Sequence, residues 1–124
     1  AIYVSAMMYD PNPTKIAMEF ASRDTSGQAD HFTVVLNPNN DGLNATLFQV
    51  MTTGTQVEAK VSNEKEDRNW SALWKSAVKI LDNGWSLEMK IPYAALRFPK
   101  KSFSILCWNI FYTFQYTDLT VHYL

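Results

Sequence analysis

The fold is decided by the stretch Gly84-Trp85-Ser86-Leu87-Glu88-Met89-Lys90-Ile91-Pro92, which follows a turn at Asp82-Asn83. Its side chains alternate between apolar and polar: Trp85, Leu87, Met89 and Ile91 against Ser86, Glu88 and Lys90. A period of two is typical of a strand with one face buried and the other in water. Pro92 ends this strand because proline has no N–H to donate to a sheet.

The residues after this strand predict a short helix and a second strand. The segment 93–98 fits one or two helical turns closed by Pro99. From Phe103 to about Phe114 the chain is apolar on both faces, which predicts a central strand that is covered on both sides.

The rest of the chain predicts further strands at 2–9, 16–20, 31–36, 43–52, 55–61 and 76–81. A one-turn helix competes with the strand at 16–20, because Ile16 and Phe20 also match helical spacing. Turns recur about every ten residues, the spacing of a β-sandwich or barrel. The sequence therefore predicts an all-β fold of antiparallel strands.

Three local expectations concern the middle of the chain. In the strand at 55–61 we expect Val57, Ala59 and Val61 to face the core, and the polar Gln56, Glu58 and Lys60 to face water. We expect the charged segment 62–69 to be a loop. Residues 70–74 fit a helical turn that places both tryptophans on one side.

Composition limits the classes of protein to consider. The length of 124 residues predicts a single domain over 1–124. The net charge is −1 and no basic stripe is visible, so nucleic acid is a poor candidate partner. Cys107 is the single cysteine, which excludes an internal disulfide and a cysteine-based metal cluster. No signal peptide is evident. Both ends carry strand patterns, so we expect a fragment of a larger module.

Several segments in order resemble a family of proteins. They are Ile2-Tyr3-Val4, Tyr9-Asp10-Pro11-Asn12-Pro13, Asp30-His31-Phe32-Thr33-Val34-Val35-Leu36-Asn37, Trp70-Ser71-Ala72-Leu73-Trp74, the stretch 84–92 with Leu96-Arg97-Phe98, and Trp108-Asn109-Ile110. This order resembles family-9-like carbohydrate-binding modules, and most closely the variety that precedes a predicted outer-membrane barrel in uncharacterised bacterial surface proteins. The chain departs from that pattern in lacking upstream strands, and at Asn37 and Asn109, where aspartate and glycine are usual.

The resemblance implies a jelly-roll-like β-sandwich without enzymatic activity, in the cell envelope or outside the cell. In characterised members it also implies a sugar held between aromatic rings, with calcium as a structural ion. The closer variety has no settled function, so a purely structural or interaction role stays open beside glycan binding.

Three aromatic residues are the candidate ligand-binding residues: Trp70, Trp108 and Tyr112. Aromatic rings stack on the C–H faces of sugars while nearby polar groups bind the hydroxyls. Trp70 is the best candidate for an exposed platform, because it borders the polar segment 63–69. Core packing is the competing interpretation for all three, and the expected role of Trp74 and Trp85.

The sequence gives weaker evidence for other kinds of site. The segment 37–42 offers several oxygens for calcium, but it has one carboxylate, and a hairpin turn also explains it. No nucleophile, zinc or phosphate-loop motif is present, so no catalytic residue and no resident cofactor is predicted. Haem ligation by a methionine and a histidine is a distant third function. Exposed sheet edges in a truncated sandwich predict a homodimer or strand exchange.

Overall fold

The computed structural model describes residues 1–10, 29–38, 43–63 and 65–96, together with the backbone of two further strands at 107–113 and 119–123. The strands in chain order are β1 (Ile2–Tyr9), β2 (His31–Asn37), β3 (Asn44–Met51), β4 (Gln56–Ser62), β5 (Lys65–Asp67), β6 (Lys75–Leu81), β7 (Gly84–Ile91), β8 (Cys107–Thr113) and β9 (Leu119–Tyr123). A 3₁₀ turn spans Tyr93–Ala95, within the predicted helical segment.

The strands form two antiparallel sheets that pack face to face. One sheet has the order β6-β7-β1-β9 and the other has the order β5-β4-β3-β2-β8. The chain passes between the sheets after β1, β5, β7 and β8, as the strand orders require. The predicted all-β, jelly-roll-like sandwich is therefore confirmed.

Strand β7 organises the core of the four-stranded sheet, as its alternation predicts. It pairs with β1 so that Trp85 lies opposite Met8 and Leu87 lies opposite Ala6. All four of these side chains are at most 2% exposed. The facing core comes from β2 and β3 and is centred on Phe32 and Phe48 together with the valines and leucines beside them. Burial of these large side chains is the main force holding the sheets together.

Several local predictions were wrong. The charged segment 62–69 contains strand β5, which pairs with the end of β4 and so extends the five-stranded sheet. Residues 70–74 are not helical. Strand β8 pairs with β2 alone among the described strands, so it lies at an edge and not at the centre. The predicted strand at 16–20 lies outside the described residues.

Gly84 makes the close approach between β7 and β1 possible. Its φ is +145°, a value that side chains rarely adopt. A Cβ at this position would overlap the carbonyl oxygen of Met8 and would lie 2.9 Å from the Cα of Tyr9. The adjoining turn is closed by the amide of Asp10, which donates to the carbonyl oxygen of Asn83 at 2.8 Å.

We predict that Gly84→Ala lowers the free energy of unfolding by at least about 2 kcal/mol, because it adds overlap with β1 to an unfavourable φ. Gly54→Ala is the matched control: Gly54 also has a positive φ, of +83°, but a Cβ there meets nothing within 4 Å. Gly54→Ala should lower the free energy of unfolding by about 1 kcal/mol, which is the cost of the backbone conformation alone. Chemical denaturation measures both, and equal losses would contradict the proposed overlap.

Candidate functional site

The centre of the candidate site is a carboxylate inside the sandwich. Glu58 lies on β4 directly opposite Phe48 of β3, on the face that looks toward the other sheet. Its side chain is 0% exposed. The expectation that Glu58 faces water was therefore wrong, whereas Val57 and Ala59 on the opposite face of β4 are buried as expected, each at 0% exposure.

Glu58 accepts hydrogen bonds from three donors in the segment that connects β5 to β6. Its Oε1 accepts from the Ser71 hydroxyl at 3.0 Å and from the Ala72 amide at 3.2 Å. Its Oε2 accepts from the indole Nε1 of Trp74 at 2.9 Å. A buried carboxylate is tolerated only when such donors replace its water. The three bonds therefore tie residues 71–74 to β4.

An aromatic cluster fills the space beside this carboxylate. The rings of Phe48 and Trp74 meet edge to face, with centroids 5.3 Å apart. Trp70 meets Phe48 in the same way at 6.3 Å. Edge-to-face pairs are a favoured arrangement of aromatic rings. Trp74 is 6% exposed and belongs to the core as predicted, whereas Trp70 is only partly buried.

Lys60 connects the aromatic cluster to the surface. It follows Glu58 on the same face of β4 and is partly buried. Its Nζ lies 4.4 Å from the centroid of the Trp70 ring, in cation–π geometry. The same Nζ donates a hydrogen bond to the Thr46 hydroxyl at 3.1 Å. These two contacts fix a positive charge beside the Trp70 ring.

Next to this pair is a cleft of about 250 Å³, which we call the edge cleft. Its polar lining comes from Asn44, Thr46, Lys60 and Ser62, and its apolar lining from Pro38, Ala45, Val61 and Leu96. Strands β3 and β4 supply most of this lining, at the end of their hairpin away from the Gly54 turn. The volume is below the roughly 300–1,000 Å³ of drug-sized sites, so the cleft fits a small ligand or one part of a larger ligand.

A second polar contact joins the two sheets at the same side of the sandwich. The side-chain amide of Gln56 on β4 donates to the Ser76 hydroxyl on β6 at 2.8 Å. Gln56, Glu58 and Lys60 all stand on the inner face of β4, so this edge of the sandwich interior is polar. Each of these side chains has its hydrogen bonds within the protein, which keeps the edge ordered.

The three predicted ligand-binding residues lie in two different parts of the structure. Trp70 contacts Lys60, which lines the edge cleft, but Trp70 is not itself a lining residue. Trp108 and Tyr112 belong to β8, where they pair with Leu36 and Phe32, and their side chains lie outside the described part of the chain. Two strand spacings, about 10 Å, separate the β8 backbone from β3, on which Trp70 packs. Sequence reasoning missed Thr46 and Lys60, which are distant from Trp70 along the chain.

Calcium and haem sites were the weaker alternatives, and no metal site was predicted. Within the described residues, no group of three or more His, Cys, Asp and Glu side chains is placed to hold a metal ion. Residues 39–42 of the calcium candidate lie outside the described part. Met8, Met51 and Met89 are core residues, at 1%, 1% and 2% exposure.

Comparison with known proteins gives no relative: no family model, no curated protein and no solved structure matches this chain. Among the described residues, no helix has the length and apolar character that crossing a membrane requires.

We predict that Glu58→Gln lowers the free energy of unfolding by about 1–3 kcal/mol, because the amide turns a donor toward one of the three donors that the carboxylate now satisfies. Glu66→Gln is the matched control. Glu66 is exposed and pairs with Arg68 at 3.1 Å, a surface contact worth at most about 1 kcal/mol. A double-mutant cycle with Trp74→Phe should show coupling, and strictly additive losses would contradict the Glu58–Trp74 bond.

Proposed function

We propose that this chain is a non-catalytic carbohydrate-binding module, and that a sugar ring binds in the edge cleft. The observation that carries the proposal is the fixed arrangement of Lys60, Thr46 and Trp70 beside a cleft of about 250 Å³. It agrees with the resemblance of the sequence to family-9-like modules, which is its second support.

The lining of the edge cleft suits the two kinds of surface that a sugar presents. Hydroxyl groups need donors and acceptors, which the ammonium of Lys60, the hydroxyls of Thr46 and Ser62 and the amide of Asn44 supply. The C–H faces of the ring need apolar contact, which the remaining lining residues provide. The polar lining residues are few, and adjacent strands hold them in place. They therefore select a sugar by the positions of its hydroxyl groups.

Two features favour binding over catalysis. Glu58, the carboxylate beside this region, is fully buried, and both of its oxygens already accept hydrogen bonds. Proton transfer in glycoside hydrolysis needs a pair of carboxyl groups within reach of the substrate. The chemistry available at the edge cleft is hydrogen bonding and apolar contact.

We predict that the folded protein binds a member of a panel of soluble oligosaccharides, measured by calorimetry and by tryptophan fluorescence with and without calcium. Thr46→Val should weaken this binding at least about tenfold, a loss of about 1.4 kcal/mol, because Lys60 loses the hydroxyl that positions it. Trp70→Phe should remove most of the fluorescence change, since this ring contacts Lys60.

Thr53→Val is the matched control for Thr46→Val. Thr53 lies in the turn between β3 and β4, at the opposite end of the hairpin, where its hydroxyl contacts that of Thr55 at 2.9 Å. Its substitution should leave the affinity unchanged. Failure of the whole panel with a protein shown to be folded would overturn the proposal.

A structural or interaction domain without a small ligand is the second candidate. The observation that favours it is Leu73, which is 89% exposed although its neighbours are tied to Glu58. Single exposed apolar side chains are common on protein surfaces, so Leu73 offers one contact point for another protein and is not an interface by itself. Haem binding is the more distant alternative, and visible absorption after haem addition tests it.

For the second candidate we propose a homodimer through the edges of the sheets. β5 consists of three exposed charged residues and β6 carries lysines, features that oppose edge pairing. Pairing through β8 or β9 is therefore expected, because each pairs on one side only among the described strands. Light scattering at high protein concentration checks this, and a clean monomer would count against it.

A further inference from the structure

The outer face of the four-stranded sheet carries a concentration of positive charge. Strand alternation places Lys75 and Lys79 of β6 and Lys90 of β7 on this face, and all three are exposed. Glu88 is the single acidic side chain among the described residues of the three strands β6, β7 and β1 on this face. Three lysines and one glutamate give this face a net charge of +2, whereas the net charge of the whole chain is −1. We call this surface the basic face.

Two of the lysines stand directly opposite each other. Lys75 pairs with Lys90 in the register between β6 and β7. Directly opposed residues have Cβ atoms about 4.5–5.5 Å apart, and like charges at this spacing lower the stability of a sheet. Edge lysines discourage strand pairing, which explains Lys75 and Lys79. Protection of a sheet edge does not explain Lys90, because β7 is an internal strand between β6 and β1.

Exposed tyrosines share the face with the lysines. Tyr3 lies opposite Lys90 on β1, is 46% exposed, and has the Lys90 Nζ at 5.5 Å from its ring centroid. Lys75, Lys90 and Tyr3 thus form one row across three strands. A hollow of about 130 Å³ adjoins this row and is lined by Tyr3, Ser5 and Glu88 with Val4 and Met89. Tyr9, 40% exposed, ends β1 on the same face.

We infer that the basic face binds an acidic polysaccharide, that is, a glycan chain whose sugars carry carboxylates. The lysines would hold the carboxylates, and the ring of Tyr3 would contact the C–H faces of the sugars between them. Lys75 and Lys79 are four residues apart, about 13 Å along the strand, so the charges suit a ligand extended along the sheet. This inference does not depend on the edge cleft, which lies on the other sheet.

Other polyanions fit the basic face less well. Duplex DNA carries one charge per roughly 1.7 Å and is bound by proteins that neutralise several phosphates at once, while this face has three lysines on a chain that is negative overall. Recognition of anionic membranes uses clusters of about four to eight basic residues. A polymer with more widely spaced charges and apolar ring faces matches three lysines and two tyrosines.

The test uses a defined oligogalacturonate as the probe, with a neutral maltooligosaccharide of equal length as its control. We expect calorimetric binding of the oligogalacturonate at low salt, and progressive weakening as salt shortens the range of the attraction. Lys75→Ala and Lys90→Ala should each weaken binding about fivefold. Glu88→Gln should strengthen it, because it removes the acid from the face.

Lys65→Ala is the matched control, since it removes the same charge from an exposed position on β5 of the other sheet. The affinity of Lys65→Ala for the oligogalacturonate should match that of the parent. Lys75→Ala should not lower the free energy of unfolding, because it relieves the repulsion with Lys90. A loss of binding in Lys75→Ala is then not a loss of folding.

Three outcomes would overturn the inference. The first is absence of oligogalacturonate binding by the folded protein at low salt. The second is an equal loss of binding in Lys65→Ala, which means that net charge and not the basic face is responsible. The third is tighter binding of single-stranded DNA, or of phosphatidylserine vesicles, than of the oligogalacturonate. Failure of the edge cleft to bind neutral sugars would leave this result unaffected.

Discussion

The buried carboxylate of Glu58 is the constraint on which the polar edge of the sandwich depends. Removing an ionised carboxylate from water costs several kcal/mol unless its lone pairs find donors. The donors to it from residues 71–74 are a hydroxyl, a backbone amide and an indole N–H. Because these three donors point in different directions, their hydrogen bonds to Glu58 together fix the conformation of residues 71–74. The ring of Trp74 is thereby set against Phe48, and Leu73 is left in solvent.

The error about Glu58 has a physical reason. The alternation in β4 correctly separates two faces, but it does not say which is inside, since the apolar Val57 and Ala59 are also 0% exposed. When both faces of a strand are buried, polarity no longer identifies the face between the sheets. The partners that make a buried glutamate tolerable are 13 to 16 residues further along the chain. No pattern within β4 contains that information.

Much of the fold was visible in the sequence, whereas the site was only partly so. The predicted bounds of β1 match the structure, and the inward face of β7 follows from alternation. The polar neighbours of Trp70 distinguished it from Trp85, which is a core residue. The opposition of Lys75 and Lys90 could also have been found. A two-residue turn at 82–83 fixes the register of the hairpin, and that register pairs these residues. Thr46 and Lys60 needed the pairing of β3 with β4.

Lys60 differs from Lys75 and Lys90 in its physical environment, and the expected effects of these lysines on a ligand differ accordingly. Lys60 is partly buried, with its charge held by the Trp70 ring and the Thr46 hydroxyl, so it acts at short range and resists screening. Lys75 and Lys90 are exposed, so their attraction extends into solvent but declines with salt. Exposed charge mainly accelerates encounter, whereas fixed polar groups determine which ligand stays. The salt dependence of affinity therefore separates the basic face from the edge cleft even when one glycan contacts both.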